Sequence, residues 1–322
     1  MDLPPTAHDA GRDAEPLVIA VTDDGGPSSQ LSLLTHGIGI ILVSSVLFGM
    51  MAVCVRFASR QMSFAQIAFV RFTGALLVLL AFRRGTNLRP RAGNLPRVLL
   101  RGLLGGSAIL LYFRAIQGAG AGFATLLHCT YPIYTALFAS ALLGEQLGVR
   151  IGIALLLNLG GAVVMLGPAA HLDQATFNGG LSALAASVLA GGAVAAARHL
   201  RASESAYLIT AYFMAVGTVL TAPALLLPAP ALSLPLAGAL AATVLTSVAG
   251  QFLLHHGLGF ADAIQGSLAC ATTVVSTAVF EALFLGDVLG SNALIGAALF
   301  VTAVTLAASS GRRGPSLVSK RG

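Results

Sequence analysis

The 322 residues are 56% hydrophobic and 9% charged, whereas an ordinary soluble domain carries about 25% charged residues, so a solvated globular domain is excluded. The formal net charge is +6, but the basic residues lie between apolar stretches and not on one face, so no nucleic-acid partner is expected. Cys54, Cys129 and Cys270 all fall in apolar segments without a CxxC spacing, which makes packing their expected role and leaves no metal or cofactor to be expected.

Residues 1–34 carry Asp2, Asp9, Asp13, Glu15, Asp23 and Asp24 against Arg12 alone and read as a disordered cytosolic tail. They lack the basic start, apolar stretch and small-residue cleavage site of a signal peptide. Residues 37–55, 151–170, 174–197 and 288–311 contain no Asp, Glu, Lys or Arg, and each approaches the ~20 residues that cross a bilayer. Residues 205–254 are also uncharged, with Pro223, Pro228, Pro230 and Pro235 marking a turn between two spans. Spans are therefore expected to begin near residues 37, 65, 98, 119, 150, 178, 206, 236, 263 and 291, the last ending near 309 ahead of a basic tail, 310–322. The expected fold is an all-α integral membrane protein of ten transmembrane helices, with the lipid bilayer as its surroundings.

Positive charge accumulates in cytoplasmic loops. With the N-terminus inside, the inner segments hold Arg83, Arg84, Arg89, Arg91, Arg97, Arg101, Arg150, Arg198, Arg201, Arg312, Arg313, Lys320 and Arg321, and the outer loops only Arg56 and Arg60. Both termini are thus expected in the cytoplasm of a bacterial inner (plasma) membrane.

A shift of 142 residues lays SSVLFGMMAVCVR (44–56) on ASVLAGGAVAAAR (186–198), and the same shift lays TALFASALLGEQLG on TAVFEALFLGDVLG, pairing Gly49 with Gly191 and Gly144 with Gly286. One constant shift over both regions argues for duplication of a five-span unit, expected over 35–168 and 177–309. Because five is odd, the second copy must enter the membrane from the opposite side. Two inverted five-helix repeats can open a midplane cavity to either face in turn, which is the architecture of a transporter.

The stretch LLHCTYPIYTALFASALLGEQLG (126–148) sets His128 four residues ahead of Pro132 inside an expected span. A proline there removes one backbone donor and kinks the helix, and the freed carbonyl is tolerable only where a neighbour or a wet cavity meets it. His128, Thr130, Tyr131 and Tyr134 are accordingly expected to face a polar interior. The alternative is that Pro132 shapes packing alone and His128 bonds to a neighbouring backbone carbonyl. In the second copy Val274 replaces Pro132, so no equivalent role is carried over to that span.

Ten spans, the duplication and a fourth span running through a proline to a Gly-Glu end, YPIYTALFASALLGEQL, resemble the EamA type of the drug/metabolite transporter superfamily. So do FAQIAFVRFTGALLVLL and RGLLGGSAILLYFRAIQGAGAGFATLL, and the resemblance covers residues 36–309. It implies a secondary transporter whose cavity lies between the repeats, built from spans 1, 3, 4, 6, 8 and 9, moving amino acids or derivatives such as S-adenosylmethionine. The cavity residues expected are Tyr112, His128, Thr130, Tyr131, Pro132, Tyr134, Gln251 and Thr272, a mixed set with few fixed charges that suits a small zwitterionic or partly apolar solute.

Arg71, Arg114 and Glu281 each lie near an expected outer helix end, and a buried charge is expensive unless paired. Glu281 is therefore expected to pair with Arg71 or Arg114 as a gate, the alternative being arginines that extend to the headgroups. His255 and His256 are expected at the inner interface, and protons are the candidate coupling ion. An intramembrane enzyme acting on lipid and a non-transporting membrane protein are the competing classes, but no HExxH, GxSxG or P-loop is found, so no enzyme is expected. The sequence does not set the oligomeric state.

Overall fold

A computed structural model describes residues 27–82, 87–144, 147–166, 174–286 and 291–309. Most of the acidic tail, the basic tail and Glu145 lie outside the described residues, and no β-strand occurs within them. The helices are α1 (Pro27–Ala58), α2 (Phe64–Ala81), α3 (Leu95–Ala119), α4 (Ala121–His128), α5 (Tyr131–Leu143) and α6 (Val149–Leu166) in the first half. The second half holds α7 (Gln174–Leu200), α8 (Ala206–Thr221), α9 (Leu234–Gly257), α10 (Ala263–Ala271), α11 (Thr273–Leu285) and α12 (Ser291–Ala308). Helix α1 begins ahead of residue 35, where the first repeat is expected.

Among the described residues, eight helices are long and apolar enough to cross a membrane, with α4–α5 and α10–α11 each counted as one. Two shorter apolar stretches, Val149–Gly161 and Ala298–Ala307, lie within α6 and α12. Large apolar side chains such as Leu142, Leu156, Val219 and Leu283 stand exposed on the outside of the bundle, the surface that lipid tails would cover.

The 142-residue shift reappears in three dimensions. Helices α5, α6 and α8 of the alignment start where α11, α12 and α2 demand under that shift, and both copies are built with the same local devices. Ser63 accepts the Gln66 amide at the start of α2, and Ser205 accepts the Leu208 amide at the start of α8. Each hydroxyl satisfies one of the orphan donors at a helix start. Gly144 and Gly286 end α5 and α11 at φ 67° and 77°, a left-handed conformation that a side chain would penalise.

Packing across the halves is reciprocal. Helix α3 lies along α7 while its counterpart α9 lies along α1, and α5 packs on α7 as α11 packs on α1. The close approaches are made at the two glycines that the sequence aligned. A Cβ at Gly191 would stand 2.7 Å from the Thr135 amide nitrogen on α5, and one at Gly49 would stand 2.8 Å from that of Thr277 on α11.

The break in the fourth span is present, α4 ending at His128 and α5 starting at Tyr131. It recurs between α10 and α11, although Val274 holds the proline's place, which corrects the expectation that only the first copy would be interrupted. Threonine, not proline, is common to both. Thr130 Oγ1 donates to the Leu127 carbonyl (2.8 Å) and Thr272 Oγ1 to that of Ala269 (2.7 Å), so a hydroxyl occupies the carbonyl three residues back and competes with the helical ladder.

Gly191→Ala forces backbone to shift where helices α5 and α7 touch and is expected to destabilise the protein by ~1–3 kcal/mol. Gly39→Ala, with nothing within 4 Å of the added atom, is expected to be neutral or slightly stabilising. Thermal unfolding of the two variants in detergent checks both.

Candidate functional site

Between the repeats lies a cavity of about 90 Å³. Its walls come from α1 (Phe48, Met51), α3 (Arg101, Gly105, Tyr112), α7 (Ala193, Val194), α8 (Phe213) and α9 (Gln251, Leu254). The segments around both breaks complete it with His128, Cys129, Tyr131, Cys270 and Thr273.

Of the residues named from sequence, Tyr112, His128, Tyr131 and Gln251 stand in this wall. The His128 ring stacks on Tyr112 at 4.6 Å and tilts against Tyr131 at 5.5 Å, with its Nδ1 buried and without a hydrogen-bond partner. Tyr112 and Thr125 share a hydroxyl contact of 2.5 Å, and Tyr131 donates to the Ser267 carbonyl of α10 at 2.9 Å. The first contact holds Tyr112 to α4 and the second ties Tyr131 to the backbone of the second repeat.

Thr130, Pro132, Tyr134 and Thr272 do not line the cavity. Besides holding the breaks, Thr130 Oγ1 meets Ser187 Oγ of α7 at 3.3 Å, and Thr272 Oγ1 meets Ser45 Oγ of α1 at 2.7 Å. Pro132 is buried in the first turn of α5, and Tyr134 packs its Cβ against Gly191.

The three charges expected to form a gate have different surroundings. Arg114 is exposed. Arg71 is wholly buried, with no hydrogen-bond partner at Nε, Nη1 or Nη2, and its guanidinium carbon lies 4.6, 5.9 and 5.5 Å from the ring centres of Phe72, Phe113 and Phe213. Glu281 Oε1 accepts the Gly122 amide at 3.0 Å in the first turn of α4, where a carboxylate meets the positive end of the helix dipole. An ion pair does exist at the other end of the α10–α11 rod, between Arg198 and Asp262 at 3.8 Å.

Sequence reasoning missed Arg101 and misplaced His255. Arg101 is not a loop residue but sits within α3, 4% exposed, and His255 is not interfacial but fully buried. Arg101 Nη2 lies 2.8 Å from His255 Nε2, and His255 Nδ1 lies 2.7 Å from Thr210 Oγ1. Arginine can only donate, so Nε2 accepts, Nδ1 carries the proton and donates to Thr210, and Thr210 donates to the Ala206 carbonyl at 2.7 Å. Gln251 Nε2 approaches the same Nε2 at 3.3 Å. The available signal was the glycine pattern RGLLGG: a Cβ at Gly105 would collide with the Arg101 guanidinium, so the room for that side chain is written into α3.

Among the described residues, no group of three or more His, Cys, Asp or Glu is arranged to hold a metal ion. A family model described as the EamA-like transporter family matches residues 35–167 and again 177–309. The chain belongs to the EamA-like transporter family. It is 29% identical over 278 residues to the "Pseudopaline exporter CntI" of Pseudomonas aeruginosa, covering 85% of this chain and 96% of that protein. It is 31% identical over 229 residues to the "Probable terminal-alkyne amino-acid exporter" of Streptantibioticus cattleyicolor, covering 68% and 74%. A crystal structure sharing 21% identity superposes with a TM-score of 0.70 over 85% of this chain and 96% of that one, which shows the common fold. The protein is an integral membrane transporter of two EamA repeats with apolar helices facing lipid.

Tyr131→Phe removes a buried donor to the Ser267 carbonyl and is expected to cost about 1–3 kcal/mol, because an acceptor is left without its partner. A fall in unfolding temperature larger than that of Tyr134→Phe checks it.

Proposed function

We propose that this transporter is a secondary active exporter of small amino-acid-like metabolites, working by alternating access over ten membrane crossings with both termini in the cytoplasm of a bacterial inner membrane. One placement carries the reading. The cavity lies between the repeats and is walled by residues flanking both helix breaks: His128, Cys129 and Tyr131 on one side, Cys270 and Thr273 on the other. Two units of five crossings enter the membrane from opposite sides, so each break serves as the hinge for one face.

Relatives named as exporters support outward movement, and one of them is named for an amino acid. The solute fits a wall of aromatic, thioether and aliphatic side chains with a few polar groups, as small-molecule sites generally are. The Glu281–Gly122 contact and the Arg198–Asp262 pair lie at opposite ends of the α10–α11 rod. We assign closure of the outer face to the first and of the inner face to the second. Protons are the coupling ion in this reading, carried by His128, whose Nδ1 is unpartnered at the cavity.

Proteoliposomes loaded with labelled amino acids or with S-adenosylmethionine test it. Saturable efflux of at least one solute, accelerated by an imposed pH gradient, is expected; Ala193→Phe, which fills the cavity, is expected to reduce it to the level of empty vesicles, and His128→Phe to abolish the response to pH. Efflux equal to that of empty vesicles for every compound overturns the transport reading.

A further inference from the structure

We infer that Arg101 is the substrate's carboxylate anchor, held in place by His255 and Thr210, so that the cavity selects solutes bearing a carboxylate over otherwise identical neutral or purely cationic ones. The inference rests on the transport reading above and specifies what the site recognises.

Charge balance is the first observation. Among the described residues, the buried charged side chains are Arg71, Arg101 and Glu204. Glu204 lies between α7 and α8, where its Oε1 accepts the Arg91 amide and Asn94 Nδ2, each at 2.8 Å. Arg71 and Arg101 instead share the ring of Phe213, their guanidinium carbons 5.5 and 4.5 Å from its centre. The ring faces offset part of the burial cost, but a cation out of water is strongly disfavoured without an anion. Arg101 lines the cavity and Arg71 shares the Phe213 ring with it, and two such cations create a field that a bound anion would relieve.

Donor geometry is the second. A guanidinium carries five N–H groups. In Arg101 the Nη2 end is taken by His255, while Nε and Nη1 are buried and without partners in a side chain that lines the cavity. The His255 ring cannot turn away, because Thr210 receives its Nδ1 proton. Nor can it take a second proton on Nε2 without pointing that proton at a cation. Arg101 is thereby fixed as a donor pointing at the solute, the arrangement that makes arginine effective toward carboxylates. Thr210 and His255 are positioning residues, acting through Arg101.

The experiment uses the full chain in proteoliposomes and compares efflux of each proteinogenic amino acid with efflux of its carboxamide, which keeps the amine and side chain and lacks the anion. Wild type is expected to prefer the acid by at least about tenfold for each solute it moves, the loss of a charge-assisted hydrogen bond being worth that much. Arg101→Gln is expected to bring the ratio near one, Arg101→Lys to restore part of it, and Thr210→Val, which leaves Arg101 in place, to lower it. Acids and amides moved equally by wild type would sink the Arg101 assignment while leaving transport standing; neither moved would sink both. If Arg101→Gln does not fold, an acid preference unchanged in Arg101→Lys and Thr210→Val would overturn the proposal alone.

Discussion

A helix interrupted inside an apolar layer must give its freed carbonyls to something other than water, and here a threonine does so twice. Thr130 and Thr272 each bond the carbonyl three residues back and touch a serine, Ser187 or Ser45, on the first helix of the opposing repeat. Ser187 and Ser45 in turn bond the carbonyls of Leu184 and Leu42, each at 2.7 Å. The rest of the arrangement depends on this. Because the breaks are satisfied locally and identically, two straight rods become two jointed ones, and the space between the joints becomes the cavity.

The walls then follow from which helices can come close. Gly49 and Gly191 let α1 meet α11 and α7 meet α5 backbone to backbone, so the broken rods are pressed against the first helix of each repeat. Gly105 opens room on α3 into which Arg101 folds back toward His255. Small residues thus place a charged group at the centre, in a layer where packing and not the hydrophobic effect holds helices together.

Much of the fold was legible in the sequence because duplication leaves a constant offset and apolar runs have the length of a bilayer. The same offset was carried by Ser63 and Ser205, Gly144 and Gly286, and Thr130 and Thr272. Yet Pro132 drew attention away from Thr130, and the break in the second copy was missed since Val274 carries no such mark. The aromatic part of the cavity was legible through His128 and Tyr131, which flank a break, and through Tyr112, which stacks on His128. Arg101 and His255 were not, because a charge a turn or two inside a helix end looks the same in sequence whether it reaches back to headgroups or inward to a partner. That choice is made by residues from α8 and α9 more than a hundred positions away, Thr210 among them, and no local spacing announces it. Arg71, expected near the same outer end as Arg114 and Glu281, lies unbonded among aromatic rings for the same reason: depth along a helix does not say which way a side chain turns.

In the reading proposed above, selectivity resides in the few polar groups of the wall, while the jointed rods and the glycine contacts of this chain supply the motion. The account's central claim is that the two joints open opposite faces in turn. It is tested most directly by pulsed electron spin resonance distances between labels placed near Gly122 and Glu281 at one end and near Arg198 and Asp262 at the other, in a background free of the three native cysteines. The account predicts two populations in which one end lengthens as the other shortens, their ratio shifting on addition of a transported amino acid. A single fixed distance at both ends, with and without solute, would contradict it.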